Sequence, residues 1–316
     1  MTDQSRMRML GRTGVEVSVL GFGALELRGD EPPFGRPLES AQAGRVLNRV
    51  LDAGINLIDT AIDYGQAESQ IGRHIAHRRD EYFLATKAGC ALNPAAHDPS
   101  ERTIFGVVLE HDYSRENIVA GVEQSLRRLR TDHIDLLQLH FGPTLEELER
   151  TGAVETLVDL KRSGKVRLIG SSSMLPNLDD HIALGVFDAF QIPYSALQPE
   201  HDAAITRTAR AGAGTIIRGG VARGEPGAGQ GADRVWRLWD AAALDDLLDG
   251  MARTEFMLRF TISHPDLHST IVGTLNPAHL SENLAAVERG PLPADVVAEV
   301  KRRVAAASDG VARPGG

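Results

Sequence analysis

Residues 114–140 read SRENIVAGVEQSLRRLRTDHIDLLQLH. Apolar residues recur at helical spacing over Arg115–Leu129, and a short apolar run from Ile134 ends in His140, so the stretch is an amphipathic helix feeding a β-strand. The same unit recurs on both sides. Upstream, Ser40–Ala53 precedes Asn56–Asp59 and Glu68–His77 precedes Tyr82–Lys87. Downstream, Ala153–Ser163 precedes Val166–Ser171, and Asn177–Leu184 precedes Ala189–Ile192. Pro199–Ala211 then leads to Gly214–Arg218, and Thr254–Ser263 to Ser269–Gly273, with glycines such as Gly54 and Gly164 punctuating helix ends. The opening MRMLGRTGVEVSVLGFGA reads as a hairpin around Gly11–Gly14 followed by the first strand of the series. Eight strands with eight helical partners demand a parallel sheet, and over this length they fit a closed (β/α)8 TIM barrel better than an open one. The hairpin is placed to plug the barrel floor. A Rossmann sheet is disfavoured because GFGALELRGD lacks the third glycine of G-x-G-x-x-G.

The expectation is therefore an α/β barrel with an N-terminal β-hairpin, occupying residues 1–316 as one domain. The 316 residues are 42% hydrophobic and 24% charged, enough apolar content for a full core. A net charge of −9, from 43 acids against 34 bases, disfavours nucleic acid or an anionic membrane surface as a partner. Cys90 is the one cysteine, the start MTDQSRMRML has no apolar run like a signal peptide, and no window is apolar enough to span a bilayer. A cytoplasmic protein acting on a small molecule is expected. Three connections are too long for simple turns, Arg28–Glu39, Ala88–Tyr113 and Gly219–Asp240. Each follows a strand and so projects from the C-terminal face, where barrels carry their active sites. Trp236 and Trp239, three apart at the end of the last of these, read as packing residues.

Four polar residues stand at or just past apolar runs. Asp59 ends INLID, Lys87 ends YFLATK, His140 ends IDLLQLH, and Tyr64 lies in DTAIDYG. Singly, each has an ordinary structural role as a cap, a snorkelling lysine, a packing ring or a satisfied core histidine. Jointly, successive barrel strands deliver them to one rim. A phenol that donates a proton near neutral pH needs its pKa lowered, and the Lys87 ammonium, itself held by Asp59, is expected to do this. His140 is placed to donate a hydrogen bond to a substrate oxygen.

These segments, with LGRTGVEVSVLGFG, DAGINLIDTAIDYGQAESQIG, GKVRLIGSSS, FQIPYS and IVGTLNPAHLSEN, resemble the aldo-keto reductase superfamily across nearly the whole chain. The resemblance implies a (β/α)8 barrel that reduces small aldehydes and ketones with a nicotinamide cofactor, usually NADPH, with NAD the alternative, and without a metal. It assigns Asp59, Tyr64, Lys87 and His140 to the catalytic tetrad. For the cofactor it implies Ser172 and Gln191 at the carboxamide, with Ser173 where the family usually has Asn. Arg218 falls where many members stack an aromatic ring, and Gly23, Gly219 and Gly273 line the same strand ends. Thr274, Asn276, Glu282 and Asn283 are implied at the adenosine end, with Pro277 opening the final helix. Leu275 stands where many NADPH-preferring members carry a basic residue, which leaves His279, Arg218 and Arg223 as candidate phosphate partners. Two other readings stand beside this one: a Schiff-base lyase using Lys87, which the pairing with Asp59 opposes, and a non-catalytic nicotinamide-binding sensor or regulatory subunit.

Overall fold

Successive side chains in a strand point to opposite faces, so a closed sheet sorts every second residue into its interior. The computed structural model describes residues 6–29, 37–92, 103–104, 107–108, 110–226 and 233–311. Parts of all three long connections therefore lie outside the described residues. The hairpin is β1 (Met7–Met9) and β2 (Glu16–Ser18), paired antiparallel. The barrel follows with β3 (Leu20–Gly23), β4 (Leu57–Asp59) and β5 (Phe83–Ala88). A small ribbon, β6 (Thr103–Ile104) and β7 (Val107–Val108), stands in the next connection. Then come β8 (Ile134–Leu139), β9 (Val166–Ser172), β10 (Ala189–Pro193), β11 (Gly214–Arg218) and β12 (Ser269–Val272). Each barrel strand pairs in parallel with the next, and β12 returns to β3, so the sheet closes in chain order. The expected (β/α)8 barrel and its N-terminal hairpin are both present.

The helices are α1 (Ser40–Asp52), α2 (Ala67–His74), α3 (Arg115–Leu129), α4 (Leu145–Thr151), α5 (Ala153–Arg162) and α6 (Asn177–Leu184). They continue with α7 (Asp202–Arg210), α8 (Asp233–Ala241), α9 (Arg253–Ile262), α10 (Pro277–Arg289) and α11 (Ala294–Val311). Their apolar stripes cover the outer faces of the strands, as when Ile118, Val122 and Leu126 of α3 join one core with Leu137 and Leu139 of β8. No helix among the described residues is long and apolar enough to cross a membrane.

Inside the barrel, the hairpin residues Leu10 and Val17 pack with Leu57, Phe83, Ala85, Leu136, Ala189 and Ile216 near the strand starts, and this cluster is the floor plug. The fit is tight: a Cβ on Gly214 would meet Leu10 Cδ1 at 2.5 Å, and one on Gly21 would meet Leu57 Cδ2 at 2.7 Å.

Two expectations need correction. The stretch Gly219–Asp240 is not one connection, because α8 fills its end: Trp236 and Trp239 are buried with rings 5.4 Å apart, and their helical spacing turns both onto the core. The helix opened by Pro277 is also not the last, since α11 follows and buries Val300 and Val304.

Candidate active site

Two residues beyond the floor, the same inward positions become polar. Asp59, Lys87, Gln138 and Gln191 stand two residues after Leu57, Ala85, Leu136 and Ala189, and all are buried. Lys87 Nζ donates to Asp59 Oδ1 at 2.6 Å and to the Thr60 carbonyl at 2.8 Å. Asp59 Oδ2 accepts from Gln138 Nε2 at 3.0 Å and from Gln191 Nε2 at 2.8 Å. Both carboxylate oxygens are thus hydrogen-bonded, as a buried ion requires.

Tyr64 and His140 complete the group. Lys87 Nζ lies 5.2 Å from the Tyr64 ring centroid, and the Tyr64 and His140 rings meet edge to face with centroids 5.9 Å apart. Burial and the carboxylates of Asp59 and Asp63 hold the Tyr64 phenol well above its ordinary pKa, and the cation that opposes them is Arg218. The expectation of a lowered phenol is therefore not met: burial and the two carboxylates outweigh the positive charge around it. His140 is held neutral, first by burial and then by the positive charge of Lys87. Burial likewise pushes the Cys90 thiol up and raises Asp63 to about 6.

The backbone of the rim is built to hold His140. Tyr113 Oη donates to the His140 carbonyl at 2.5 Å, and the Tyr113 ring reaches it across Gly89, where a Cβ would lie 2.3 Å from Tyr113 Cε1. Phe141 follows at φ 62°, rare for an aromatic residue, and its ring lies 4.3 Å from that of His140.

Asp59, Tyr64 and His140 open onto a cavity of about 1050 Å³, while Lys87 stands behind them. The cavity passes Gly23, Ser172 and Gln191, continues by Arg218, Gly219 and Arg223, and reaches Gly273 and Thr274. It ends at Asn276, His279, Glu282 and Asn283 at the start of α10. Ser172 Oγ donates to Gln191 Oε1 at 3.3 Å. Ser173 is the one expected cofactor residue outside the lining; it is buried, with its hydroxyl 3.5 Å from the Met174 carbonyl. Two residues at the far end also serve the helix. Asn276 Oδ1 accepts from the Ala278 amide at 2.9 Å, and Thr274 Oγ1 accepts from the Asn276 amide at 3.0 Å.

The chamber's volume, its lining from Tyr64 to the start of α10 and its guanidiniums Arg218 and Arg223 suit a large anionic ligand such as a dinucleotide. Leu275 is buried in the lining and brings no charge to the adenosine end.

Sequence reasoning missed Gln138, Asp63 and His111. Gln138 was findable, since it precedes His140 by two in IDLLQLH and so shares its face. Asp63 adjoins Tyr64, and its Oδ2 lies 3.5 Å from His140 Nδ1. His111 carries no local signal; a backbone bridge to Cys90 brings it to the rim.

The chain matches the family model described as "Aldo/keto reductase family" over residues 19–225. Among curated relatives, it is 28% identical over 298 residues to the uncharacterized oxidoreductase YqkF of Bacillus subtilis (strain 168), covering 89% of this chain and 90% of that one. It is 30% identical over 325 residues to D-threo-aldose 1-dehydrogenase of Pseudomonas sp, covering 91% and 94%. Among solved structures, aldo-keto reductase AKR11C1 from Bacillus halodurans in its holo form superposes with a TM-score of 0.77 at 27% identity, over 94% of this chain and 96% of that one. With its barrel closed and its polar rim at the strand ends, the chain belongs to the aldo/keto reductase family of oxidoreductases.

Proposed function

We propose that the protein reduces the carbonyl group of a small aldehyde or ketone to an alcohol, reversibly, with Tyr64 as general acid and NADPH as the preferred cofactor. The observation that carries this reading is the Tyr64 phenol, flanked by His140 and Lys87 in a chamber of about 1050 Å³ whose lining runs on to the start of α10. The nicotinamide, when bound, supplies the hydride. The chain's own residues do the rest.

His140, neutral through burial, has Nδ1 3.1 Å from Cys90 Sγ and donates from Nε2 to the carbonyl oxygen. As negative charge grows on that oxygen, the Tyr64 hydroxyl transfers its proton there. A phenol held above its ordinary pKa stays protonated until the oxygen has become basic enough to take the proton. The phenolate left behind is stabilised by Arg218 and faces the Lys87 ammonium. Asp59, fixed by Gln138 and Gln191, keeps Lys87 charged and in place. That pairing argues against Lys87 as a Schiff-base nucleophile, which must be neutral to attack. Ser172, Gln191, Arg218 and the α10 N-terminus are the residues that hold the cofactor, with Arg218, Arg223 and His279 the basic groups for its phosphates. The substrate is a small carbonyl compound, and the aldose relative makes polyhydroxy carbonyls the first to try.

Parallel fluorescence titrations with NADPH and NADH, followed by turnover of a panel of small aldehydes and ketones, test the proposal. Tighter NADPH binding with turnover is the expected result, and Tyr64→Phe should lower kcat by about 10²–10⁴-fold with cofactor affinity unchanged. Tighter NADH binding transfers the cofactor assignment to NAD. Firm binding without turnover of any carbonyl favours a sensor, and no binding to either nucleotide overturns the oxidoreductase reading.

A further inference from the structure

Beside the proposed catalytic group, and sharing His140 with it, a second set of donors converges. Cys90 follows β5, His140 follows β8, and His111 lies far along the connection between those strands. Residues 89–91 and 110–112 run antiparallel as a short ladder, with the Ala91 amide donating to the Glu110 carbonyl at 3.0 Å and the Asp112 amide to the Gly89 carbonyl at 2.8 Å. Cys90 and His111 are directly opposed in that ladder, so their side chains leave it on the same side. Across from them stands His140, whose Nδ1 is 3.1 Å from Cys90 Sγ. The three ligand atoms, one thiol sulfur and one nitrogen from each imidazole, all lie within 4.8 Å of one another, and this is the one such group of three donors among the described residues.

We infer that Cys90, His111 and His140 form a binding site for a divalent metal ion of the zinc class. Zinc takes thiolate sulfur at about 2.3 Å and imidazole nitrogen at about 2.0–2.1 Å in tetrahedral geometry, which separates a sulfur and a nitrogen ligand by about 3.5 Å. The observed spacing differs from that by a fraction of an ångström at the Cys90–His140 pair, within side-chain adjustment. One thiolate with two imidazoles is the donor set that selects Zn²⁺ over Mg²⁺ or Ca²⁺. Charge is balanced as well. Metal binding forms a metal–sulfur bond and releases the Cys90 proton to solvent, so the thiolate and the Asp63 carboxylate, 3.5 Å from His140 Nδ1, together offset the two positive charges. Three protein ligands leave a fourth position open to water. An ion there holds His140 through Nδ1 and keeps its remaining proton on Nε2.

Cys90 is the one cysteine of the chain, so any thiolate–metal absorption reports this site alone. The experiment is titration of the purified full-length protein with Co²⁺, read by absorbance. The expected result is a thiolate-to-cobalt charge-transfer band, with the d–d intensity of a tetrahedral site, that saturates at one equivalent and is bleached by Zn²⁺. Cys90→Ser, with unchanged far-ultraviolet circular dichroism, should lack the band, and His111→Ala should need more than about tenfold higher Co²⁺ to reach half-saturation. Absence of the band in the wild type under excess Co²⁺ overturns the site, as does a band whose midpoint is the same in His111→Ala. Neither reading uses turnover, so the result stands whether or not the carbonyl-reductase proposal does.

Discussion

Near the floor of the barrel the inward-pointing residues are Leu57, Ala85, Leu136, Ala189 and Ile216, while one strand repeat higher they are Asp59, Lys87, Gln138, Gln191 and Arg218. About 6.6 Å of strand separates the two layers. The lower layer is capped by Leu10 and Val17 from the hairpin and is held by close packing, which is non-directional and sums over many weak contacts. The upper layer is held by a few directional bonds, most of them converging on Asp59. The difference teaches that one backbone pattern can supply stability at one end and chemistry at the other. Substitutions at the two ends should accordingly fail in different ways.

The largest expected effect on stability is at the rim. Asp59→Asn preserves shape but leaves the Lys87 ammonium buried without its anion, and should cost about 3–5 kcal/mol in urea unfolding. It should also abolish most turnover, because the lysine behind Tyr64 is no longer held. Full stability in this variant would show that the pair is not a buried ion pair in solution. At the floor, Leu10→Ala opens a cavity and should cost about 2–5 kcal/mol, while kcat measured below the new melting transition stays close to wild type. A proportional loss of kcat would show that the floor and rim do not separate. Gly21→Ala is smaller in effect. Its methyl group meets the flexible end of Leu57, and about 1–3 kcal/mol with normal cofactor affinity is expected from unfolding and titration curves.

The barrel was legible in the sequence because its strands are short apolar runs broken by amphipathic helices, and this periodicity survives wherever tertiary packing is regular. Asp59, Lys87 and His140 were legible for a related reason: each is a polar residue ending an apolar run. Gln138 sits inside such a run, so its importance depends on which face points inward, a fact the closed sheet supplies. The pKa of Tyr64 was misjudged because spacing shows which charges lie nearby but not how deeply the ring is buried among them. Burial is the largest cause of the raised phenol, and the cation that opposes it, Arg218, comes from a strand far along the chain. α8 was hidden at the end of a glycine-rich stretch of which residues 227–232 lie outside the described residues, and His111 by a ladder between segments of one long connection.

The smallest effect concerns the support of the rim. His181, fully buried, has Nε2 2.8 Å from the Pro143 carbonyl and Nδ1 2.8 Å from Ser171 Oγ. A carbonyl only accepts, so the proton is on Nε2 and Nδ1 accepts from the serine: the ring is neutral and ties the segment just after His140 to β9. Burial lowers its pKa, with the Pro143 carbonyl and Asp180 opposing. Between the folded and unfolded pKa values the unfolded chain binds a proton that the native state refuses. The stabilisation is therefore complete above the unfolded value of about 6.5 and is lost as pH falls below it. His181→Gln, which can keep a donor and an acceptor but does not titrate, should be less stable than wild type by about 1 kcal/mol at neutral pH. That gap should narrow as pH falls from about 7.5 to about 5.5 in paired urea denaturations, since only the wild type loses this contribution. A gap that stays constant across that range would place the His181 proton elsewhere and leave Pro143 positioned by packing alone.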